Sequence, residues 1–464
     1  MSPDSGGRPV PPVAWDRWLD SLTRAGWSPR PGRGAPGGDG GGEGGDTERV
    51  AVGEALGRVT AVPVAARWPS PRADCAAMDG VAVRAADLAA APAAGAPAGG
   101  AGAGERAVRL PAGTFEWIDT GDPMPPGADT VIVRERLLSQ ADGSLLIAPA
   151  TRGHRTGHAE RGRNVRATGE DFTAGEVLVP AGRRLRPGDL AAVAAGGHVA
   201  VAVARCPVVA IIPTGDEIRP VGTVPRFGDI IDTNSVMLAA RCRQLGVVPV
   251  VSAVVPDEPD ALAVELRHAA GQADLVLVIA GSSRGRGDHA GAVLAQVGGV
   301  AVAGVAVRPG HPALLGHAKR PEVSDGGHRA GIAPVIGLPG YPLATAVTFE
   351  LFAAPMLAAL TGQAAPRDRV RVRLDRDWAS PADVEDWVLV TLAEDPAGGV
   401  PLATPARRGA SSISLLARAG AWWPIPAGQG TFTAGTEVEV IPVPGGGPVL
   451  PAQAFPAEPG AAAD

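Results

Sequence analysis

The pattern of apolar and polar positions divides the chain into regions of different character. Near the start, Trp15, Trp18, Leu19 and Leu22 recur at i, i+3, i+4 and i+7, which predicts an amphipathic helix. The next segment, PGRGAPGGDGGGEGGD, cannot bury a core and indicates a flexible tether. From TERVAVGEALGRV to about residue 205 the apolar runs are short and separated by Gly- and Pro-rich turns, so we expect a mostly β region.

Beyond residue 206 the pattern changes to continuous apolar runs that alternate with helix-like segments. CPVVAII, VVPVVSAVV and ADLVLVIAG predict buried strands, whereas DTNSVMLAARCRQLG and DEPDALAVELRHAA predict helices. This alternation indicates a doubly wound parallel sheet with helices on both faces. A helix containing FELFAAPMLAAL is expected to close this region near Thr361, and the chain from Arg367 to Val443 returns to short strands.

These regions predict a multidomain protein of the α/β plus β class. A chain of 464 residues is long enough for about three domains. The expected divisions are an N-terminal helix and tether over 1–49, a mostly β region over 50–205, an α/β domain over 206–362, a small β domain over 367–445 and a flexible tail over 446–464.

Composition and charge exclude several classes of protein. The formal net charge of -6 gives no general attraction to nucleic acid. The N-terminus lacks the charged start and apolar core of a signal peptide, and the apolar run from Leu190 to Pro213 is interrupted by His198 and Arg205. The scattered cysteines form no CxxC pair, which fits a reducing compartment. We therefore expect a cytoplasmic protein that binds neither nucleic acid nor membrane.

Polar loops are predicted to meet at one edge of the sheet, where ligands bind in such folds. The loops are PTGDEI, DTNS, PDEPDA, AGSSRGRGDH, VRPGHP and GLPGYP. They combine carboxylates, glycines and basic groups, a mixture suited to a phosphate ester with a hard cation. Asp216 and Glu217 are therefore predicted to converge on a cation or a cation-bound phosphate, unless they only cap a turn. Asp257 and Asp288 precede predicted helices, so each is a candidate helix N-cap as well as a ligand.

A second interpretation concerns the segment GSSRG at 281–285. It matches the G-x-S-x-G nucleophile elbow of a serine hydrolase, in which Ser283 would attack with His311 or His317 as base. An elbow serine runs directly into a helix, whereas glycine and arginine follow here, so we disfavour this alternative.

Longer motifs carry a resemblance to a known family. Its members share, in the same order, DCAAMDGVAV at 74–83, DTGDPMPPGADTVIVRE at 119–135, GRNVRATGEDFTAGEVLVPAG at 162–182, PTGDEI, DTNS and GLPGYPLATAV at 337–347. The chain resembles the molybdopterin molybdenumtransferases, the MoeA and gephyrin E-domain family, from about Val50 to Val443. It is identified as a divergent member of this family.

The resemblance implies both architecture and reaction. It implies a central MoaB/MogA-like domain that binds molybdopterin, a linker region with an inserted β lid domain over 50–205, and a homodimer. The implied reaction inserts molybdate into adenylylated molybdopterin, uses Mg²⁺ and releases AMP. Other proteins of molybdenum cofactor biosynthesis are candidate partners.

The family's motifs also imply a set of site residues. The implied catalytic residues are Asp79, Thr120, Asp171, Glu217, Asp257 and Asp288. The implied cofactor-binding residues are Thr214, Gly215, Asp216, Asn234, Gly281, Ser282, Ser283, Arg308, His311, Pro339, Gly340, Tyr341 and Pro342. The implied cation ligands are Asp216, Glu217 and Asp288.

The chain departs from the family's usual motifs in its anion-binding loops. GSSR replaces the usual GGVS, RPGHP replaces KPGKP, MDGV replaces MDGY, and Tyr341 replaces the asparagine of GLPGNP. Arg308 keeps a positive charge and can bind phosphate through two hydrogen bonds, whereas His311 is mostly neutral near pH 7. A tungstate-handling or non-catalytic molybdopterin-binding paralogue is therefore an alternative to the molybdate-inserting enzyme.

Overall fold

The computed structural model describes residues 8–27, 47–90, 108–148, 160–280, 289–321, 331–361, 368–396, 398–406, 409 and 412–443. The chain forms two compact units. The larger unit comprises Met1–Asp39 with Arg205–Asp464, and the smaller unit comprises Gly40–Ala204.

The helices are α1 (Pro11–Arg24), α2 (Ala85–Ala90), α3 (Pro187–Ala195), α4 (Asn234–Gln244), α5 (Pro259–Gln272), α6 (Ala290–Val297), α7 (Pro342–Thr348), α8 (Ala354–Thr361) and α9 (Ile413–Arg418). The strands of the smaller unit are β1 (Thr47–Ala51), β2 (Val64–Ala65), β3 (Cys75–Ala76), β4 (Gly80–Val83), β5 (Val108–Leu110), β6 (Glu116–Ile118), β7 (Thr130–Val133), β8 (Leu137–Ser139), β9 (Leu145–Ile147), β10 (Val165–Arg166), β11 (Val177–Val179) and β12 (Ala200–Ala204). The strands of the larger unit are β13 (Val208–Pro213), β14 (Ile218–Arg219), β15 (Ile230–Ile231), β16 (Val248–Val251), β17 (Leu275–Ala280), β18 (Gly298–Ala303), β19 (Val307–Arg308), β20 (Leu314–Lys319), β21 (Ile332–Pro339), β22 (Val370–Leu374), β23 (Trp378–Ala379), β24 (Glu385–Ala393), β25 (Leu402–Pro405), β26 (Ala421–Ile425), β27 (Thr431–Phe432) and β28 (Glu437–Pro442).

Short antiparallel ladders build the smaller unit, as its broken apolar pattern predicted. One small sheet has the strand order β6-β4-β7 and another has the order β5-β9-β8. Val81, Ile132 and Ile147 pack into the same buried cluster. Gly80 is required at the start of β4, because a Cβ there would lie 1.9 Å from the carbonyl oxygen of Ile132. The glycine of the AMDG motif therefore permits close pairing of β4 with β7.

The larger unit is built around a sheet with the strand order β16-β13-β17-β21-β20-β18. Strands β16, β13, β17 and β21 are parallel, as predicted, whereas β20 is antiparallel to both β21 and β18. The central sheet is thus doubly wound but mixed. Every residue of β17 is buried, which is characteristic of a strand covered on both faces.

Helices cover both faces of this sheet, and the first of them is the predicted N-terminal helix. On α1, Ala14, Trp18 and Leu22 are buried in the same cluster as residues of α4 and α7, while α5 and α6 bury their apolar residues against the other face. Nε1 of Trp18 donates to the carbonyl oxygen of Gly316 at 2.8 Å. The amphipathic pattern therefore docks α1 onto the larger unit.

The helix predicted to close the α/β region is a continuous run from Pro342 to Thr361 with a π-helical turn at Phe349–Ala353. Its length and composition would allow it to cross a membrane, but 78% of the relevant stretch is buried inside the fold. Within the turn, Glu350 accepts hydrogen bonds from Arg241 at 2.7 and 3.2 Å. The run is therefore a core helix of this unit.

The C-terminal strands form a second sheet with the order β19-β24-β25-β22-β28-β26. Its first strand, β19, comes from the α/β region and pairs in parallel with β24, so that Val307 faces Glu385 and Arg308 faces Asp386. The C-terminal sheet is thereby hydrogen-bonded to the RPGHP loop. This pairing gives the C-terminal sheet a part in the candidate site.

Candidate active site

A cavity of about 920 Å³ lies at the carboxyl edge of the central sheet. One of its sides is formed where β13, β17 and β21 end. The predicted site residues that line it are Thr214, Glu217, Asn234, Arg308, His311, Pro339, Gly340, Tyr341 and Pro342. The fold thus brings to one cavity residues that lie far apart in the sequence.

The loop after β13 turns sharply at Gly215. The φ of Gly215 is +137°, which disfavours side chains, and a Cβ there would lie 2.9 Å from Oε2 of Glu217. Thr214 anchors the loop, because its N–H and its hydroxyl both donate to the carbonyl oxygen of Ile279, at 3.0 and 2.9 Å. The Thr-Gly pair therefore lets the Glu217 carboxylate fold back against the turn.

Asp216, Glu217 and Asp257 lie close together beyond this strand. The backbone N–H of Asp257 donates to Oδ1 of Asp216 at 3.2 Å. The pKa of Asp257 is raised, first because burial disfavours its charged form and further because of the negative charges of Glu217 and Asp216. A hydrogen bond from the Asp216 backbone and the charge of His289 act in the opposite direction. The carboxylates therefore repel one another, and a cation placed among them would relieve that repulsion.

The described residues do not by themselves form a metal site. Among them, no group of three or more His, Cys, Asp or Glu side chains is arranged to hold a metal ion. Asp288, the remaining predicted cation ligand, lies outside the described residues, as do Gly281, Ser282 and Ser283. The carboxylates after β13 would therefore leave coordination positions of a cation open to water or substrate.

The structure corrects one interpretation of Asp257. Helix α5 begins at Pro259 with Glu258 at the N-cap position, and the side chain of Glu258 makes no capping hydrogen bond. Asp257 stands one residue before that position, so it is not the N-cap residue proposed from the sequence. Its raised pKa places its carboxylate in the field of the acidic loop after β13 instead.

Asn234 connects two of the predicted loops. Its Nδ2 donates to the carbonyl oxygen of Gly340 at 2.7 Å, and its Oδ1 is buried without a hydrogen-bond donor among the described residues. The hydroxyl of Thr345 donates to the carbonyl oxygens of Pro339 and Tyr341, which holds the GLPGYP turn at the start of α7. These bonds determine the shape of the cavity wall.

The RPGHP loop presents Arg308 and His311 as exposed residues on the cavity lining. Gly310 between them has a φ of +123°, and a Cβ there would lie 3.0 Å from the buried Oγ1 of Thr348. The N–H of Ala313 donates to the carbonyl oxygen of Gly310 at 3.0 Å, which closes the turn. The glycine thus allows a tight turn with basic residues on both sides.

Other residues of the cavity lining belong to β23, β24 and α9, which the sequence did not assign to the site. They are Trp378, Trp387, Leu389, Ile413 and Leu415. No local motif marks these residues, and the pairing of β19 with β24 joins their region to the RPGHP loop.

In the smaller unit, the predicted residues Asp79 and Thr120 are in direct contact. The N–H and the hydroxyl of Thr120 donate to Oδ1 of Asp79 at 2.8 and 2.7 Å, and these bonds lower the pKa of Asp79. Thr168 makes the same pair of bonds to Oδ1 of Asp74, both at 2.8 Å. Asp74 and Asp79, at the two ends of the DCAAMD segment, therefore each hold one Thr-Gly turn in place.

The other predicted residues of the smaller unit and of the hydrolase alternative lie in different settings. Asp171 follows the second Thr-Gly turn and its N–H donates to the carbonyl oxygen of Ser70 at 2.9 Å. His317 lies on β20, where burial lowers its pKa. Ser283 lies outside the described residues, so no described contact supports a serine–histidine pair.

Comparisons with known proteins identify the family to which the chain belongs. The chain matches the MoeA N-terminal region (domain I and II) over residues 35–197, a probable molybdopterin binding domain over 210–359 and the MoeA C-terminal region (domain IV) over 371–443.

Individual relatives agree with these domain matches. A molybdopterin molybdenumtransferase from Nostoc sp. is 32% identical over 341 residues, covering 71% of this chain and 73% of the relative. One from Bacillus subtilis is 30% identical over 405 residues, covering 86% and 90%. A crystal structure of a MoeA protein from Pyrococcus horikoshii superposes with a TM-score of 0.71 at 27% identity and covers 94% of this chain and 99% of that one. The chain therefore belongs to the MoeA family of molybdopterin molybdenumtransferases.

Proposed function

We propose that this chain is a transferase that inserts molybdate into adenylylated molybdopterin and releases AMP. The observation that carries the proposal is a single cavity lined by Glu217, Asn234 and Arg308 at the carboxyl edge of the central sheet. Acidic, amide and guanidinium groups at such an edge suit a phosphorylated ligand. The names of the relatives from Nostoc sp. and Bacillus subtilis support molybdopterin and molybdate as its substrates.

Arg308 is proposed to bind a phosphate of the substrate. Its guanidinium can donate two parallel N–H groups to phosphate oxygens, and it stays charged at every physiological pH. His311 on the same loop can donate one N–H to the ligand. When the phosphoanhydride breaks, Arg308 would stabilise the negative charge that develops on the departing phosphate.

Asp216 and Glu217 are proposed to hold Mg²⁺, with Asp288 as a further ligand from outside the described residues. Burial is the first cause of the raised pKa of Asp257, and the added repulsion from Glu217 and Asp216 fits a site that includes a cation. Mg²⁺ commonly uses one or two carboxylates and completes its shell with water and phosphate oxygens. When bound, the ion neutralises charge on the substrate phosphates.

Asp257 is proposed to hold a proton near the reacting phosphates. Burial, together with the negative charges of Glu217 and Asp216, raises the pKa of Asp257 and so favours its protonated form. Asp79, Thr120 and Asp171 keep their proposed roles in the site on the strength of their motifs. Because Thr120 already binds Asp79 through two hydrogen bonds, a positioning role for Asp79 is favoured over direct proton transfer.

A homodimer in the cytoplasm is part of the same proposal. Other proteins of molybdenum cofactor biosynthesis are proposed as partners of this chain, because another enzyme must adenylylate the substrate first. The oligomeric state can be measured by sedimentation of the purified full-length chain.

The test of the function is AMP release from adenylylated molybdopterin in the presence of Mg²⁺ and either molybdate or tungstate. We expect release that depends on molybdate. Release with tungstate alone would assign the chain to tungsten cofactor synthesis. Substrate binding without AMP release under either oxyanion would identify a non-catalytic paralogue and contradict the proposed reaction.

The hydrolase alternative is tested separately. A serine nucleophile requires that Ser283→Ala abolish turnover and that a serine-directed phosphonate label the protein covalently. We expect neither result, because Ser283 would act at most as a hydroxyl or backbone contact to phosphate.

A further inference from the structure

The candidate cavity has two chemically different sides. Loops beyond the central sheet supply carboxylate, amide and guanidinium groups on one side. Strands β23 and β24 and helix α9 supply the other side, here called the aromatic wall, which consists of Trp378, Trp387, Leu389, Ile413 and Leu415. A ligand that fills the cavity must therefore combine an anionic part with a flat or apolar part.

The pairing of β19 with β24 places these two sides next to each other. Arg308 faces Asp386 in this parallel register, and the hydroxyl of Ser380, two residues after Trp378, donates to Oδ2 of Asp386 at 2.9 Å. Neighbouring strands lie about 4.8 Å apart. A phosphate bound to Arg308 would consequently hold the rest of its ester within reach of the aromatic wall.

The two tryptophans of the wall differ in what they can contact. Trp387 is only 3% exposed, donates its Nε1–H to Glu385 at 2.6 Å and packs against Trp422 at 6.0 Å. It is therefore a fixed part of the core behind the cavity. Trp378 on β23 is half-buried, so part of its surface remains accessible where it lines the cavity.

We propose that Trp378 stacks on a planar fused-ring heterocycle of the substrate while Arg308 binds the adjoining phosphate. The proposal rests on the proposed function and specifies which part of the substrate the aromatic wall recognises. Each end of adenylylated molybdopterin carries a planar nitrogen heterocycle, the adenine at one end and the pyrimidinone ring of the pterin at the other, and each presents a face that an indole can stack on. Ile413, which is 46% exposed, extends the same wall.

Direct binding of separate ligand fragments tests this assignment without any need for turnover. The probes are AMP, neopterin and inorganic phosphate, measured by isothermal titration calorimetry with the full-length protein. Trp378→Leu removes the aromatic face but retains apolar volume, whereas Trp378→Phe retains an aromatic face. Trp15→Leu on α1 is the matched control, because Trp15 is also half-buried in the larger unit but does not line this cavity.

We expect Trp378→Leu to weaken binding of one heterocycle by about tenfold to a hundredfold, as for other base-stacking aromatics. Inorganic phosphate should bind as before, and Trp378→Phe should recover most of the affinity. A loss for AMP would identify adenine as the stacked ring, and a loss for neopterin would identify the pterin. Arg308→Ala should instead weaken both AMP and inorganic phosphate.

Two results would overturn the proposal. One is unchanged heterocycle binding in Trp378→Leu, and the other is no binding of either heterocycle to the wild-type protein at millimolar concentration. If Trp378→Leu fails to fold, Ile413→Asn tests the same wall at an exposed position, and unchanged binding in that variant would also contradict the proposal. Heterocycle binding that depends on Trp378 without AMP release from the full substrate would contradict only the proposed function.

Discussion

Nδ2 of Asn234 donates a hydrogen bond of 2.7 Å to the backbone carbonyl of Gly340. The DTNS loop at the start of α4 is thereby tied to the GLPGYP loop at the start of α7. Both loops line the candidate cavity, so this one side chain links two of its walls directly. Its Oδ1 is buried and has no donor among the described residues.

Replacement of Asn234 by Leu should therefore impair binding more than stability. Gly340 is exposed, so its carbonyl can bond to water, and we expect a loss of about 0.5 to 1.5 kcal/mol in the free energy of unfolding. AMP affinity should fall by about tenfold, the equivalent of one lost hydrogen bond to a well-placed partner. Urea unfolding and calorimetric titration measure the two effects. Gln140→Leu removes an exposed side-chain hydrogen bond to the carbonyl oxygen of Leu138. It should change neither the free energy of unfolding nor the affinity for AMP.

Glu217→Gln should reduce turnover while preserving the fold. The substitution keeps size and hydrogen bonding but removes the charge that would neutralise Mg²⁺, and we expect turnover to fall by about 10² to 10³. Without metal, the melting temperature should be unchanged or slightly higher, because Glu217 no longer repels Asp216 and Asp257. The stabilisation on adding Mg²⁺ should shrink.

A structural role for Glu217 predicts the reverse pattern. The melting temperature would then fall, the response to Mg²⁺ would be unchanged and turnover would remain near normal. Glu265→Gln on α5, outside the cavity lining, controls for the loss of one negative charge from the larger unit.

Asp257 should make stability depend on pH in a defined direction. Its pKa in the folded protein is raised above the ordinary value of 3.8, so the protonated carboxyl stabilises the folded state. That contribution is complete below about pH 4 and is lost as the pH rises through the raised pKa. Relative to Asp257→Asn, wild type should therefore lose stability as the pH increases, up to a plateau.

Melting temperatures of both proteins between pH 4 and pH 8 test this expectation. At pH 7, Mg²⁺ should reduce the difference in melting temperature between wild type and Asp257→Asn, because a cation beside Asp257 favours the charged form of its carboxylate. A difference that is constant with pH would show that Asp257 does not sense the charges of the acidic loop.

Asp79 can be separated into a structural and a catalytic contribution by comparison with Asp74. Each accepts two hydrogen bonds from a threonine, Thr120 for Asp79 and Thr168 for Asp74. We expect Asp79→Ala and Asp74→Ala to lower the melting temperature to a similar extent, because each releases one Thr-Gly turn. Asp79→Asn keeps an oxygen acceptor and should leave the melting temperature nearly unchanged.

Turnover of these variants decides the role of Asp79. If it positions Thr120, Asp79→Asn should retain most of the AMP-releasing activity. A large loss in Asp79→Asn with normal thermal stability would instead assign a direct role to the carboxylate charge.

At the amino edge of the central sheet, Asp274 should be important for stability. It is 5% exposed, and it accepts hydrogen bonds from Arg205 at 2.8 and 3.0 Å and from the N–H of Val208 at 2.8 Å. Asp274→Ala removes the partner of a largely buried guanidinium, which typically costs about 3 to 5 kcal/mol. Chemical denaturation should show this loss, and the activity of the folded fraction should be unaffected. The exposed pair of Arg369 and Glu439 provides the control, since Glu439→Gln should cost less than about 1 kcal/mol.

The sequence by itself determined the local elements and their chemistry. Amphipathic spacing predicted α1, and apolar runs bounded by polar loops predicted β13, β17 and the helices between them, because side-chain periodicity follows from local backbone geometry. The same alternation placed Glu217, Asn234 and Gly340 at one sheet edge, since parallel strands in doubly wound folds end on the same side. Their shared cavity agrees with that prediction.

Only the tertiary structure decided which distant segments meet. The antiparallel edge formed by β18 and β20, the bond from Thr120 to Asp79 and the pairing of β19 with β24 all depend on contacts between segments remote in sequence. Such pairings are selected by the total free energy of packing and backbone hydrogen bonding, which no local pattern encodes. For that reason the sequence did not predict Trp378 and Trp387 as site residues. Their local sequence is typical of a β domain, and the pairing of β19 with β24 joins that domain to the region that holds the cavity.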